Sequence, residues 1–394
     1  MITEKLYENN PYLKEFSARV LSCEAGKGGW LVVLDRTAFY PEGGGQPCDF
    51  GTLGEVWTPA RDGEELCEAW VSDVHERDGV VYHTVDRPLS GAVQGVIEWD
   101  RRFDHMQQHS GEHLVSGILH RLYGCENVGF HMGKDVVTID FDRVLRKDQL
   151  ERAEFLANEA VWANRDRLVR YYDSEAECPE DYRSKKPIPG RLRLVEFPDA
   201  DLCACCGTHV ARTGEIGIVK LLSVVKFHQG VRVEMVCGRR ALAWLSRISE
   251  QNRQISGLLS AKPLETAAAV DRTLGELAQV KHEKARWETR CFDSMAEALR
   301  GAGDVVLFEE DLSPDSLRRL CAAVLETCGG RCAVFSGTDG AGWAYAVGQE
   351  GADLRSFVRE MNAALGGRGG GKPNFAQGRV GASRGEIEAF LAES

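Results

Sequence analysis

The segment Met106-Gln-Gln-His-Ser-Gly-Glu-His113 opens a helical pattern in the middle of the chain. Apolar residues continue it at helical spacing, namely Leu114, Val115, Ile118, Leu119 and Leu122. Histidine is scarce, with ten in the chain, yet four lie close together here: His105, His109, His113 and His120. At about 100° per residue, these four side chains share one face of the predicted helix.

The histidine face offers two candidate metal-binding pairs. His109 and His113 lie four residues apart, and His105 and His109 have the same spacing, so either pair could bind one ion. His120 is about 16 Å along the axis from His109, at ~1.5 Å per residue, which is too far to share that ion. Spacing alone does not choose between the two pairs.

A second set of candidate ligands lies far downstream, in Cys203-Ala-Cys-Cys-Gly-Thr-His209. Imidazole and thiolate are the ligands that zinc prefers. A polar helix face and a cluster of buried cysteines would explain the two segments separately, but their presence in one predicted domain favours a shared metal site. The segment from His109 to His113 also fits H-x-x-E-H, a peptidase signature with Glu112 as general base. That alternative gives the cysteines no role.

The sequence pattern on both sides of this helix predicts an α+β protein with four parts. Residues 1–100 contain strand-like runs separated by turn residues and predict a β-barrel-like domain, which includes Phe39-Tyr-Pro-Glu-Gly-Gly-Gly-Gln-Pro47. Residues 101–247 mix helical and strand patterns around the candidate ligands. Residues 248–300 predict a long helical linker, and residues 301–394 a small α/β domain that ends in a glycine-rich segment, 366–378.

Composition limits the class of protein. Hydrophobic residues make up 43% of the 394 and charged residues 27%, an ordinary globular mixture. No window reaches the ~18 consecutive apolar residues of a membrane helix, so we expect no membrane partner. Thirteen scattered cysteines favour reduced thiols in the cytoplasm over a disulfide framework. The net charge of −12 argues against a protein that coats nucleic acid, although local basic clusters remain.

Four motifs together resemble a known family. The glycine motif at 39–47, the histidine motif at 106–113, Cys205-Cys-Gly-Thr-His209 and the glycine-rich segment 366–378 occur in the order found in alanyl-tRNA synthetase beyond its catalytic core. The chain resembles the freestanding alanyl-tRNA editing proteins of the AlaX family in their long form, over nearly its whole length. The segment 366–378 lacks the G-x-x-x-x-G-K-[ST] pattern, so we expect no ATP site.

The resemblance implies an aminoacyl-tRNA deacylase that hydrolyses mischarged tRNA(Ala), chiefly Ser-tRNA(Ala) and also Gly-tRNA(Ala). It implies one zinc ion per chain, bound by His109, His113, Cys205 and His209, and so selects one histidine pair. Such a site must accept Ser and spare Ala, which lacks one hydroxyl group. Buried polar groups that wait for this hydroxyl can penalise its absence by up to ~10⁴. The candidate partners of the hydroxyl are Gln46, Thr208 and the zinc itself. Glu112 completes the set of catalytic candidates with Gln46 and Thr208. Its role stays open, because the synthetase usually carries Thr within its H-x-x-x-H motif.

Basic clusters on an acidic chain indicate where tRNA could bind. One lies between residues 183 and 193 and another between 355 and 384, and solvated loops are the alternative explanation for both. The predicted RNA-binding residues are Arg183, Lys185, Lys186, Arg191, Arg193, Arg368, Lys372 and Arg379. We also predict a homodimer through the helical and C-terminal regions. An RNA-binding module with a structural zinc and no hydrolysis is the second functional hypothesis.

Overall fold

The structure is a computed structural model that describes residues 2–26, 28–55, 68–184 and 190–393. The chain divides into two compact units, Met1–Gln251 and Asn252–Ser394. Both units combine helices with sheets, which confirms the predicted α+β class. Within the described ranges, no helix is both long enough and apolar enough to cross a membrane.

The first part of unit 1 is a closed β-barrel, as predicted. Its elements are β1 (Glu4–Lys5), α1 (Leu6–Asn9), β2 (Glu15–Gly26), β3 (Gly29–Leu34), β4 (Arg36–Thr37), β5 (Gly51–Glu55), β6 (Glu68–Arg77), β7 (Val80–Val85) and β8 (Ala92–Ile97). The barrel order is β2-β3-β7-β6-β5-β8, and β1 pairs with β4 beside it. Side chains of β7 alternate between buried and partly exposed, because successive residues of a strand point to opposite faces. The barrel core includes Val32, Leu34, Leu53, Val71 and Val85.

The rest of unit 1 is built around one long buried helix, α2 (Trp99–Tyr123). The other elements are β9 (Asn127–Met132), β10 (Val137–Phe141), α3 (Lys147–Ala163), β11 (Leu168–Tyr172), β12 (Leu192–Phe197), β13 (Asp201–Ala204), β14 (Val219–Phe227) and β15 (Gly230–Cys237). They form two antiparallel sheets, β14-β15-β10-β9 and β11-β12-β13. Helix α2 approaches both closely: a Cβ atom at Gly111 would lie 2.1 Å from Cys237 Sγ, and one at Gly117 would lie 2.4 Å from the carbonyl oxygen of Ala200.

A buried arginine ties α2 to the barrel. The Arg102 guanidinium donates from Nε to Asp49 Oδ1 at 2.9 Å and from its terminal nitrogens to the carbonyls of Pro11 and Ala38 at 2.8 and 2.6 Å. Arg102 is fully buried, so loss of Asp49 would leave an unpaired charge in the interior. This packing explains why the predicted boundary at residue 100 does not separate two compact units.

Unit 2 contains the end of α4 (Gly238–Leu258), which begins in unit 1, and a small domain with its own core. The other elements are α5 (Thr266–Ala298), β16 (Gly303–Glu309), α6 (Pro314–Cys328), β17 (Gly329–Thr338), β18 (Gly342–Gln349), α7 (Arg355–Ala364), β19 (Arg368–Lys372), β20 (Phe375–Val380) and α8 (Arg384–Glu393). The sheet order is β16-β17-β18-β20-β19, so the glycine-rich segment is a hairpin and not a loose turn. Phe292 and Ala296 near the end of α5 belong to a core cluster with α6, so this part of the predicted linker packs as part of the domain.

Candidate metal centre

Helix α2 directs the side chains of His109 and His113 towards the interior of unit 1. His109 and His113 are 3% and 2% exposed, and their ring centroids lie 5.3 Å apart, as expected for side chains four residues apart on a helix. Burial of these imidazoles is made possible by the close approach of the sheets at Gly111 and Gly117. The helix therefore holds two potential ligands in a largely buried position.

The second ligand pair follows β13, in the loop from Cys205 to His209. The backbone of this loop is tied to its surroundings: Arg193 donates to the carbonyl oxygens of Cys205 and Gly207 at 2.5 and 3.2 Å. The amide of Val210 donates to Ser110 Oγ on α2 at 3.1 Å. These contacts hold the loop against the helix, so that Cys205 and His209 face the histidine pair.

The four predicted ligands converge on one point. The ligand atoms of His109, His113, Cys205 and His209 all lie within 4.8 Å of one another. Cys205 Sγ lies 3.6 Å from His109 Nε2 and 3.4 Å from His209 Nε2. Three imidazoles and one thiolate form a donor set of the kind that suits tetrahedral zinc. The residues present therefore fit this metal.

Electrostatics favour a thiolate at Cys205. Burial alone would raise the pKa of this thiol, but the neighbouring His109 and His209 rings hold it well below its ordinary value. The amide of Gly207 also donates to Cys205 Sγ at 3.4 Å. Because the thiolate is the form that ligates metal, the site favours the required ionisation state.

His109 and His113 each have a hydrogen-bond partner behind the ring. His109 Nδ1 lies 2.9 Å from Gln46 Oε1, and His113 Nδ1 lies 2.7 Å from Asp201 Oδ2. Both contacts engage Nδ1, so Nε2 of each ring is left to face the ligand cluster. Such partners commonly orient the histidine ligands of metal sites.

The glycine motif positions Gln46. Gly43 and Gln46 exchange backbone hydrogen bonds of 3.1 and 3.0 Å, and the two residues between them have φ angles of +60° and +85°. Positive φ at both central positions defines a type I′ turn, which glycine adopts without steric cost. Gly45 is further constrained because a Cβ atom there would lie 2.5 Å from Phe130. The turn thus packs on β9 and directs Gln46 towards His109.

A cavity of about 840 Å³ opens beside the cluster. Its wall includes the ligands His109, His113 and Cys205, together with the glycine turn 43–45 and Glu112. The Phe130 ring stacks on His109 at a centroid distance of 5.1 Å and also lines the cavity. The candidate metal centre is therefore accessible to a small substrate group.

Glu112 is a buried carboxylate in this wall. Its Oε1 accepts hydrogen bonds from Ser116 Oγ at 2.6 Å and from Asn127 Nδ2. Because Ser116 lies one helical turn away and Asn127 begins β9, the carboxylate is fixed from two directions. This arrangement gives Glu112 a defined position beside the candidate ligands.

Gln46 and Thr208 lie elsewhere than expected. Gln46 Nε2 donates to Thr208 Oγ1 at 2.8 Å, and the amide of Thr208 donates back to Gln46 Oε1 at 3.2 Å. Both residues are almost fully buried, and neither is among the residues that line the cavity. They lie behind the His109 ring, where Gln46 contacts it directly and Thr208 contacts Gln46. The sequence predicted instead that both residues contact the substrate hydroxyl.

Two predicted RNA-binding residues are also placed inside unit 1. Arg193 is buried and supports the Cys205 loop, and the side chain of Arg183 is 8% exposed and forms a two-pronged ion pair with Asp201. Arg193 therefore faces no solvent-exposed RNA surface, and that expectation was wrong. Lys185 and Lys186 lie outside the described residues. The remaining four predicted cations are exposed: Arg191, Arg368, Lys372 and Arg379.

His105 does not join the cluster. It is 3% exposed, and burial, together with the nearby Arg101, lowers its pKa to about 3. Among the described residues, the ligand groups that lie close enough to share an ion do not include His105. The choice of the His109/His113 pair, which rested on the family resemblance, agrees with this geometry.

Sequence reasoning missed Asp201, Phe130 and Asn127. Asp201 precedes the Cys203 cluster by two residues, and this proximity was the one available signal. Phe130 and Asn127 lie on β9 and carry no recognisable motif. Their roles depend on contacts between distant parts of the chain.

Comparison with known proteins defines the class first. Three family models match the chain: tRNA synthetases class II (A) at residues 9–101, the threonyl and alanyl tRNA synthetase second additional domain at 192–238, and the DHHA1 domain at 302–393. Alanine–tRNA ligases of Ignicoccus hospitalis and Halobacterium salinarum are 31% and 35% identical over 95% of this chain, which spans 41% and 42% of their length. The chain thus resembles about two fifths of such a ligase.

A relative of matching length identifies the family. The alanyl-tRNA editing protein AlaX-L of Pyrococcus horikoshii is 30% identical, and the alignment covers 98% of this chain and 96% of the relative. The chain belongs to this family of alanyl-tRNA editing proteins, which confirms the prediction of an aminoacyl-tRNA deacylase. The crystal structure of the C-Ala domain of Aquifex aeolicus alanyl-tRNA synthetase matches 23% of this chain and 86% of its own, with 24% identity and a TM-score of 0.20.

Proposed function

We propose that this protein hydrolyses the aminoacyl ester of mischarged tRNA(Ala), chiefly Ser-tRNA(Ala) and more slowly Gly-tRNA(Ala), at a site that contains one zinc ion. The observation that carries the proposal is the convergence of three imidazoles and one thiolate at the wall of the 840 Å³ cavity. A peptidase would use the H-x-x-E-H motif but would leave Cys205 without a function, so the ester substrate is preferred.

The chemistry required of the site is modest. An aminoacyl ester is already activated, and zinc bound to the four residues would polarise its carbonyl group or lower the pKa of a water molecule. The protein supplies position: the glycine turn 43–45 and Phe130 form adjoining parts of the cavity wall. Gln46 and Asp201 hold the two histidine rings in fixed orientations.

We assign Glu112 a direct role in the reaction. It is the buried carboxylate in the cavity wall between the two histidines, and the hydrogen bonds from Ser116 and Asn127 fix its position. There it can accept a hydrogen bond either from the attacking water or from the hydroxyl group of a seryl substrate. A hydrogen bond that the seryl hydroxyl can donate and an alanyl group cannot would favour Ser over Ala.

Single-turnover deacylation of Ser-, Gly- and Ala-tRNA(Ala) tests the proposal. We expect the Ser ester to be hydrolysed fastest, the Gly ester more slowly and the Ala ester hardly at all. In Glu112→Gln, an equal loss on Ser and Gly would assign the carboxylate to water activation, whereas a loss on Ser alone would assign it to the hydroxyl. Equal rates of the unmodified enzyme on Ser and Ala would refute the proposal.

The tRNA surface is proposed to include strand β19. Arg368 and Lys372 lie at its two ends, both are exposed, and in the described part of the chain neither forms an ion pair with a carboxylate. Arg379 on the neighbouring β20 is exposed as well. Unpaired cations on an exposed sheet edge can bind phosphates, and each contact adds about −0.9 to the slope of log affinity against log salt on duplex nucleic acid.

Binding of tRNA to Arg368→Ala and Lys372→Ala at several salt concentrations tests this surface. We expect weaker affinity and a shallower salt dependence. Arg300, which forms an ion pair with Glu297 at the end of α5, provides the control, because Arg300→Ala should change neither quantity. An unchanged salt slope in the β19 variants would remove them from the tRNA surface.

The homodimer is a separate proposal. Helix α5 carries a series of apolar side chains that are between 47% and 61% exposed: Leu274, Leu277, Val280 and Trp287. A second copy of the chain offers the same apolar surface, which suits a symmetric interface. We expect a dimer by light scattering and a monomer after Leu274→Glu and Leu277→Glu.

A further inference from the structure

We propose that Asp201, fixed by Arg183, is a positioning residue that holds His113 in the tautomer and orientation needed for metal binding. The inference rests on the proposed function, because it assumes that His113 is a zinc ligand. It assigns a task to two residues that the family motifs do not include, and it moves Arg183 from tRNA recognition to the support of the metal site.

The first step of the argument is the hydrogen-bond geometry at Asp201. Its carboxylate receives three donors: His113 Nδ1 at 2.7 Å, Arg183 Nε at 2.7 Å and an Arg183 terminal nitrogen at 2.9 Å. A carboxylate offers only acceptors, so all three contacts are satisfied at once. Each side chain is at least nine-tenths buried, with exposures of 1%, 2% and 8% for Asp201, His113 and Arg183. These side chains therefore have little exposure to bulk solvent.

The second step concerns the imidazole. Because a carboxylate must accept, the proton of neutral His113 resides on Nδ1, and Nε2 keeps its lone pair for the metal. The opposite tautomer would place the proton on Nε2, which faces the ligand cluster. It would also leave an unprotonated Nδ1 next to a carboxylate oxygen, so that two acceptors would face each other. In the neutral ring, Asp201 thus favours the tautomer whose Nε2 can bind the metal.

The third step concerns Arg183, which fixes Asp201 itself. The two-pronged guanidinium contact allows one orientation of the carboxylate, and the backbone of Arg183 also pairs with the strand that carries Asp201, since Ala204 donates to the Arg183 carbonyl at 2.9 Å. Gly117 of α2 permits this arrangement, because a Cβ atom there would lie 2.5 Å from Asp201 Cβ. Arg183 therefore fixes the carboxylate of Asp201, and this carboxylate in turn fixes the ring of His113.

Asp201→Asn provides a test that preserves volume. An asparagine replaces one acceptor oxygen with a donor NH₂ group, so one of the three donors loses its partner and the His113 ring shifts or changes tautomer. We expect the zinc affinity of the full-length protein, measured by chelator competition, to fall by about 10- to 100-fold, the usual cost of losing such a partner. The absorption spectrum of the cobalt-substituted protein should change as well.

Asp140→Asn is the matched control. Asp140 receives the same two-pronged contact from Arg232, at 2.6 and 2.8 Å, between β10 and β15 of the same unit, but it contacts no candidate ligand. We expect its zinc affinity and cobalt spectrum to equal those of the unsubstituted protein. A second variant, Arg183→Lys, keeps the positive charge but cannot form the two-pronged contact with Asp201. We expect it to lose less zinc affinity than Asp201→Asn.

The outcomes separate the inference from the proposed function. If the unsubstituted protein binds no zinc, both are refuted. If it binds zinc and Asp201→Asn binds with the same affinity and cobalt spectrum as Asp140→Asn, only the positioning role is refuted. An Asp201→Asn protein that remains folded by circular dichroism but loses zinc affinity selectively is the result that supports the inference.

Discussion

Gly207→Ala tests whether the space around His109 determines metal binding. A Cβ atom at this position would lie 2.2 Å from His109 Cε1 and 2.4 Å from Nδ1, and it would lie 3.1 Å from Gln46 Oε1. Ordinary contacts between carbon atoms are about 3.5–4.0 Å, so the ring would have to move by roughly 1.3 Å. Such a shift breaks the 2.9 Å hydrogen bond between His109 and Gln46.

The expected cost of this overpacking is about 1–3 kcal/mol, which corresponds to a loss of roughly 5- to 150-fold in zinc affinity if the strain is relieved by displacing the ligand. Chelator competition measures the affinity, and single-turnover deacylation at saturating zinc shows whether activity returns. Gly54→Ala in the barrel is the control, because its Cβ atom would meet nothing within 4 Å. Zinc affinity within twofold of the unsubstituted value in Gly207→Ala would refute the reasoning.

His109→Ala should lose the metal, whereas His105→Ala should retain it, because only His109 lies in the ligand cluster; metal analysis of the two purified proteins decides this. Deletion of residues 259–394, after the end of α4, should weaken tRNA binding and its salt dependence far more than it slows the reaction of bound substrate, as measured by filter binding and single-turnover rates. Burial lowers the pKa of His83 to about 4, so between pH 6.5 and 4 the unfolded chain binds more protons than the folded chain. The free energy of unfolding therefore decreases as the pH is lowered through this range, by up to about 1.4 kcal/mol per pH unit. His83→Gln should flatten this dependence in urea unfolding, and an unchanged slope would contradict the argument.

The parts of the site that could be predicted from the sequence are those encoded by local spacing. His109 and His113 are about one helical turn apart, so any helix that contains them places their side chains close together. Cys205 and His209 are also four residues apart, so they stay close together in a short loop. The presence of both segments in one predicted domain favoured a shared metal site, whereas the choice of His109 and His113 over His105 and His109 came from the family resemblance. Periodicity likewise gave the barrel strands, because their side chains alternate between core and solvent.

The supporting contacts could not be predicted in this way. Gln46 lies 63 residues from His109 and Asp201 lies 88 residues from His113, so their hydrogen bonds depend on how the barrel turn and β13 dock on α2. The sequence suggested Gln46, a polar residue of the glycine motif, as a partner for the seryl hydroxyl. The turn directs it instead towards the ring of a ligand, where its carbonyl oxygen is already engaged.

The basic run from residue 183 to residue 193 shows why charge alone is a poor guide to an RNA surface. Strand β12 is the central strand of β11-β12-β13, and its residues are buried on both faces, so no alternation distinguishes Arg193 from its neighbours. Arg191, just before the strand, is exposed and stacks on Tyr171 at 4.3 Å. Arg193, two residues later, donates instead to the backbone of the ligand loop. Because Arg193 is almost fully buried, its guanidinium does not reach a phosphate at the surface, and its part in the site is to hold the Cys205 loop in place.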